Sequence, residues 1–150
     1  MIKKGQAATE YLVIIAIVLV IALVVVYLVG GFAGMGAGTM LTQSKQAWGT
    51  ASPFAITATK QSGTSLQMQI QNNDVNQLTL TGISMDGASV YSSSTVFASG
   101  SSQVLTATTA STCGAAGSTF SHANVTIIYS NGGITGMTEV GTRPLMGTCS

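Results

Sequence analysis

Residues 11–29 form an unbroken run of nineteen uncharged, almost wholly apolar residues, and no other feature restricts the fold of this chain as strongly. With a rise of about 1.5 Å per residue, the run makes a helix roughly 30 Å long, the thickness of a bilayer's hydrocarbon core. It is apolar on every face, which excludes the surface helix of a soluble domain. Such a helix is expected in lipid, or in the middle of a bundle of copies of itself.

What precedes the run is equally ordered. Lys3 and Lys4 come first, then Gly5, Gln6, Ala7, Ala8 and Thr9, and the single carboxylate Glu10 lies at the lip of the apolar stretch. Two readings of Glu10 stand side by side. An acid in the first turn of a helix suits the helix dipole. Alternatively, a cut between Gly5 and Gln6 would create an α-amino group at Gln6, largely cationic at neutral pH with a pKa of about 7.7–8.0. Glu10 would then lie one helical turn away, able to pair with that amine in its own chain or in a neighbouring copy.

The stretch Lys3-Lys4-Gly5-Gln6-Ala7-Ala8-Thr9-Glu10-Tyr11-Leu12 resembles the class III signal peptide of archaeal type IV pilins. In that family a short basic leader ends in Gly, a membrane prepilin peptidase cuts before Gln, and a Gln-x-Ser-x-Glu-Tyr pattern leads into a hydrophobic helix. Gly5, Gln6, Glu10 and Tyr11 match, and Ala8 stands where Ser is common. Bacterial type IV prepilins usually carry Phe after the cut, so Gln6 fits the archaeal branch. The likeness covers about ten residues plus the apolar run; elsewhere it is compositional only. It implies a leader at residues 1–5, an assembly helix at 6–50 and a domain at 51–150. It also implies a structural subunit of an adhesion-type pilus that polymerises through its helix. The implied partners are other copies of the chain, the prepilin peptidase, and an assembly platform with its ATPase. The precursor would sit in the cell membrane with its N-terminus cytoplasmic, and the mature protein in an extracellular pilus.

Other readings of the same residues remain open. The small residues Gly30, Gly31, Ala33 and Gly34 after the run would also suit ordinary secretory cleavage. A permanently anchored surface binding module is a second possibility, with Lys3 and Lys4 held inside by the positive-inside rule. An archaellin, a motility filament subunit with a similar leader, is a third; the pattern from Gln6 to Tyr11 leans away from it.

Beyond the run, Gly30, Gly34 and Gly38 recur every four residues, the small-x-x-x-small spacing that lets helix backbones approach closely. Five glycines between 30 and 38 each disfavour an isolated helix by about 1 kcal/mol against Ala. Residues 30–50 therefore read either as a helix reaching about Trp48 or as a hinge. After Pro53 the pattern changes to period 2. Strands are expected at 54–58, 66–71, 78–81, 83–85, 90–91, 95–98, 103–108, 125–129 and 134–140, with Asp86-Gly87 and 131–133 as turns. These short strands with regular turn signals predict an immunoglobulin-like antiparallel β-sandwich. The whole is then an α+β chain, a long hydrophobic helix carrying a β-domain in the pilin "lollipop" layout.

Cys113 and Cys149 both fall in the outward half. A disulfide between them is the expectation in an external compartment, worth about 4 kcal/mol on the chain-entropy model; two separate thiols are the alternative. Asn124-Val125-Thr126 is an Asn-x-Thr sequon and a candidate glycosylation site, although such triplets also arise by chance in a Thr-rich chain. With nine charged residues and a net charge of +1, the chain offers no electrostatic case for nucleic acid. His122, the only histidine, has no second His and no Cys-x-x-Cys beside it, so no metal or cofactor is expected. Asp86 reads as turn chemistry and Asp74 as a loop residue. With no motif for acid–base, nucleophilic or phosphate chemistry, no enzyme is expected.

Overall fold

A computed structural model describes the backbone of residues 3–31 and 33–150, and the side chains of residues 5–28, 36 and 38–150. The chain is α+β: a long N-terminal apolar helix is followed by antiparallel sheets. It divides into two compact units, residues 1–39 and 40–150.

The first unit holds α1 (Lys3–Gly31) and the start of α2 (Ala33–Gly49). Segment Gly5–Leu28 is long and apolar enough to cross a membrane. Its many Val and Ile residues are only moderate helix formers in water. Out of water, a helix satisfies every backbone group internally, which overrides that preference. Residues 33–49 are helical despite their glycines, in agreement with the helix reading over that range.

The end of α2 belongs to the second unit because two of its side chains dock there. Ser44 Oγ donates to Pro144 O at 2.8 Å and accepts from Met146 N at 3.0 Å. Trp48 is 2% exposed, donates from Nε1 to Arg143 O at 3.1 Å, and lies against the backbone of Gly141.

Ten strands follow: β1 (Phe54–Ser62), β2 (Ser65–Asn72), β3 (Leu78–Met85), β4 (Ala88–Tyr91), β5 (Thr95–Phe97), β6 (Ser102–Thr108), β7 (Thr119–His122), β8 (Thr126–Asn131), β9 (Ile134–Val140) and β10 (Leu145–Thr148). They pair antiparallel in three sheets. One runs β1-β2-β6 and one is the pair β10-β7. The third runs β4-β3-β8-β9, with β5 beside β4 on the same edge of β3. The expected strands are present, except that 78–81 and 83–85 are one continuous strand, β3, and β7 and β10 are additional. Both are four residues long and lack a strong alternation of large apolar residues, so they carry little local signal.

Strand β2 shows how the alternation becomes packing. Leu66, Met68, Ile70 and Asn72 point inward while Ser65, Gln67 and Gln69 are exposed. The three- and five-stranded sheets contribute to one apolar cluster, within which the Phe54 ring meets Phe97 and Tyr129 edge-on at 5.4 and 5.5 Å. Asn72 is fully buried inside it. Its amide donates to the carbonyls of Asn76, Phe97 and Ala98, and its oxygen accepts from Asp74 N. One polar side chain thus ties two loops together from within.

Candidate functional site

The residues singled out by the leader motif lie on α1. Gly5, Gln6, Glu10 and Tyr11 are helical and exposed, as is every described residue of the segment Gly5–Leu28. Thr9 Oγ1 donates back to Gly5 O at 2.8 Å, a one-turn bond within the helix. The helix begins at Lys3, and its first turn holds no acid. Glu10 therefore sits two turns in, which corrects the reading of it as a first-turn residue, since the dipole effect falls off within that turn. No hydrogen bond or ion pair engages Glu10 among the described residues. The side chains of Lys3 and Lys4 and the surroundings of Gly30 and Gly34 lie outside the described residues. At Gly38 the space where a Cβ would project is open to 4 Å.

Sixteen large apolar side chains between Tyr11 and Leu28 are between 38% and 82% exposed. Burying each fully is worth about 1.5–3 kcal/mol, so the set represents on the order of 20 kcal/mol of unfavourable hydration. That exceeds the 5–15 kcal/mol or so by which a typical domain is stable. A segment of this kind demands an apolar environment.

The other predicted residues are in the second unit. Cys113 and Cys149 form a disulfide, with Cα atoms 5.7 Å apart. Cys149 N donates to Ser118 O and Ser150 N to Gln61 O, so the last residues are held by backbone bonds as well. Asn124 is exposed, with φ +50°, in the bend before β8, while the next residue, Val125, is buried.

The structure also assembles a cluster that no spacing announced. Asp86 occupies the β3–β4 turn with φ +53°, as its turn chemistry suggests. Its carboxylate spans outward from that turn, accepting Ala123 N at 2.7 Å on Oδ1 and meeting His122 Nδ1 at 2.8 Å on Oδ2. His122 is 1% exposed, and its Nε2 lies 2.8 Å from Gln61 Oε1. Gln61 Nε2 in turn donates to Gly63 O, Ser111 O and Thr109 Oγ1. Gln61 and Thr109 are 1% and 3% exposed. These residues come from β1, the turns after β3 and β6, and β7, separated by up to 61 positions. Among the described residues, no group of three His, Cys, Asp or Glu residues is placed to hold a metal.

Glu139 is a further residue that patterning missed. Burial pushes its carboxyl up to about 7, although the bond from Phe54 N opposes the rise. No protein-family model matches the chain, and no curated protein matches it closely enough to indicate kinship.

Proposed function

We propose that the chain is a structural subunit of a surface filament of the archaeal type IV, adhesion-type pilus class. In this reading a prepilin peptidase cuts the membrane precursor between Gly5 and Gln6. The released subunits polymerise through the helix 6–50, the β-domain lies outside, and the assembly platform and its ATPase drive the process. The observation that carries this reading is the helical segment Gly5–Leu28, uncharged and apolar on every face from Tyr11 onward and exposed along its length. Lipid satisfies it in a precursor, and sister helices satisfy it in a polymer. Removing Lys3 and Lys4 removes the charges that retain the N-terminus inside. Glu10, unengaged within the described chain, is then available to the new amine at Gln6 of a neighbouring copy.

The second unit fits an outward role. The three- and five-stranded sheets draw on one buried cluster, which supports reading the unit as an immunoglobulin-like β-sandwich. A disulfide and an exposed Asn124 in a sequon suit an oxidising, glycan-bearing exterior.

The test is mass spectrometry of the N-terminal peptide from material sheared off cells. Filaments of this chain beginning at Gln6 are the expected result. A chain confined to membranes with Met1 attached would overturn the proposal and leave an anchored surface module in its place.

A further inference from the structure

We propose that Gln61 and Thr109 join through a self-catalysed ester bond, using the buried His122 and the solvent-facing Asp86 that meets it. The two side chains are neighbours: Thr109 Oγ1 accepts from the N–H edge of the Gln61 amide. Gln61 Nε2 and Thr109 Oγ1 are 3.0 Å apart, and both side chains are almost wholly excluded from water. The orientation of the Gln61 amide follows from its partners. Its nitrogen faces two backbone carbonyls, Gly63 O at 3.0 Å and Ser111 O at 2.9 Å, so its oxygen faces His122. His122 Nε2 thus faces the Gln61 oxygen and donates to it, while Nδ1 faces the Asp86 carboxylate.

This arrangement activates an amide. The proton on His122 Nε2 points at the oxygen that becomes negative when the carbonyl carbon is attacked. Asp86 is a positioning residue: its contact with Nδ1 fixes the ring. Thr109 Oγ1 also lies 2.9 Å from Ser111 O and 3.2 Å from Thr64 O, either of which its hydroxyl can reach, so it is held in one place. Attack requires the Gln61 amide to turn about Cγ–Cδ, releasing its N–H bonds to Gly63 O and Ser111 O, so that the carbonyl face meets Oγ1. The Oγ1–Cδ bond forms and the Cδ–Nε2 bond breaks. The hydroxyl proton ends on the departing nitrogen, and ammonia leaves. The products are a Thr–Gln ester and one ammonia, with no oxidant or reductant required. Ammonia takes up a proton and dilutes into solvent, which opposes the reverse reaction.

The surroundings protect such a bond. The Phe120 ring lies over His122 with centroids 5.4 Å apart, and the Cys113–Cys149 bridge is pinned beside Gln61 through Cys113 N to Gly63 O and Ser150 N to Gln61 O. Water, the competing nucleophile, is kept out. The ester would tie the end of β1 to the chain leaving β6, a second covalent staple next to the disulfide.

Purified full-length protein, kept for days at neutral pH, is reduced and cleaved after methionine with cyanogen bromide. Met68 and Met85 lie between the two residues, so the fragments beginning at Leu41 and Asp86 separate unless they are joined. The expected result is a joined pair lighter than the sum of its parts by one ammonia, and split by hydroxylamine. Locating the loss in that pair distinguishes it from cyclisation of an N-terminal Gln6. Thr109→Val should abolish the joined pair. Asp86→Asn should slow its formation at least tenfold, and Asp86→Glu should restore it. Separate wild-type fragments of unmodified mass, a joined pair in Thr109→Val, or an undiminished rate in Asp86→Asn would each overturn the proposal.

Discussion

The Glu139 carboxylate accepts the backbone N–H of Phe54 at 3.0 Å, across 85 positions of the chain. It thereby links edge strand β9 of one sheet to the start of β1 in another. Burial holds its carboxyl up at about 7, above the usual carboxylate range. The folded chain therefore binds a proton that the unfolded chain has already lost between about pH 4.5 and 7. Stability should be greatest below that window and fall as pH rises through 7, by about 1 kcal/mol once solvent screening is allowed for. Thermal melts of wild type and Glu139→Gln across this range check it; the variant should lose this part of the pH slope.

Gly141 lies against the Trp48 indole, and a Cβ built there would overlap the ring. Gly141→Ala should push the ring outward and destabilise the second unit by about 1–3 kcal/mol, the usual cost of overpacking. Trp48 is the only tryptophan, so its emission reports the site directly. A red shift is expected on substitution, and an unchanged spectrum would contradict the packing described.

Asn72 is buried and saturated with partners. Asn72→Ala leaves buried backbone groups unpaired and should cost about 2–4 kcal/mol. Urea titration measures the loss. Asn72→Leu should be no better, because added apolar volume does not satisfy a carbonyl.

Replacing both Cys113 and Cys149 by Ser should lower stability by about 4 kcal/mol on the chain-entropy model. Hydrogen exchange should quicken most in β10 and the last residues, which the disulfide ties to Cys113 between β6 and β7, next to the backbone bridge from Cys149 to Gln61. A uniform change across the unit would argue against this local tether.

On the proposed filament reading, Glu10→Ala should leave cleavage after Gly5 intact and reduce filaments recovered by shearing at least tenfold. Electron microscopy of sheared material, with N-terminal peptide masses, separates the two steps. Abundant filaments from this variant would count against pairing of Glu10 with a new N-terminal amine.

The parts of the fold written in short-range periodicity were legible. Leu66-Gln-Met68-Gln-Ile70 alternates as an isolated string of letters and alternates in burial in the structure. Strands β7 and β10 were not legible, because four residues such as Leu145–Thr148 carry too few large apolar positions to establish a period. Strand β1 was read too short. A bulge between Ile56 and Ala58 shifts its phase, so the inward position of Gln61 does not follow from Phe54 and Ile56.

The amino-acid sequence alone determined that this protein has an apolar helix followed by a β-rich unit, since both follow from hydrophobic spacing between near neighbours. Only the tertiary structure decided that His122 meets Asp86 and Gln61, that Gln61 meets Thr109, and that Glu139 reaches Phe54. Those partners lie 36 to 85 positions apart. Burying a polar group demands a partner but does not specify which one, and the choice falls to whichever residue the packed sheets bring within hydrogen-bond distance.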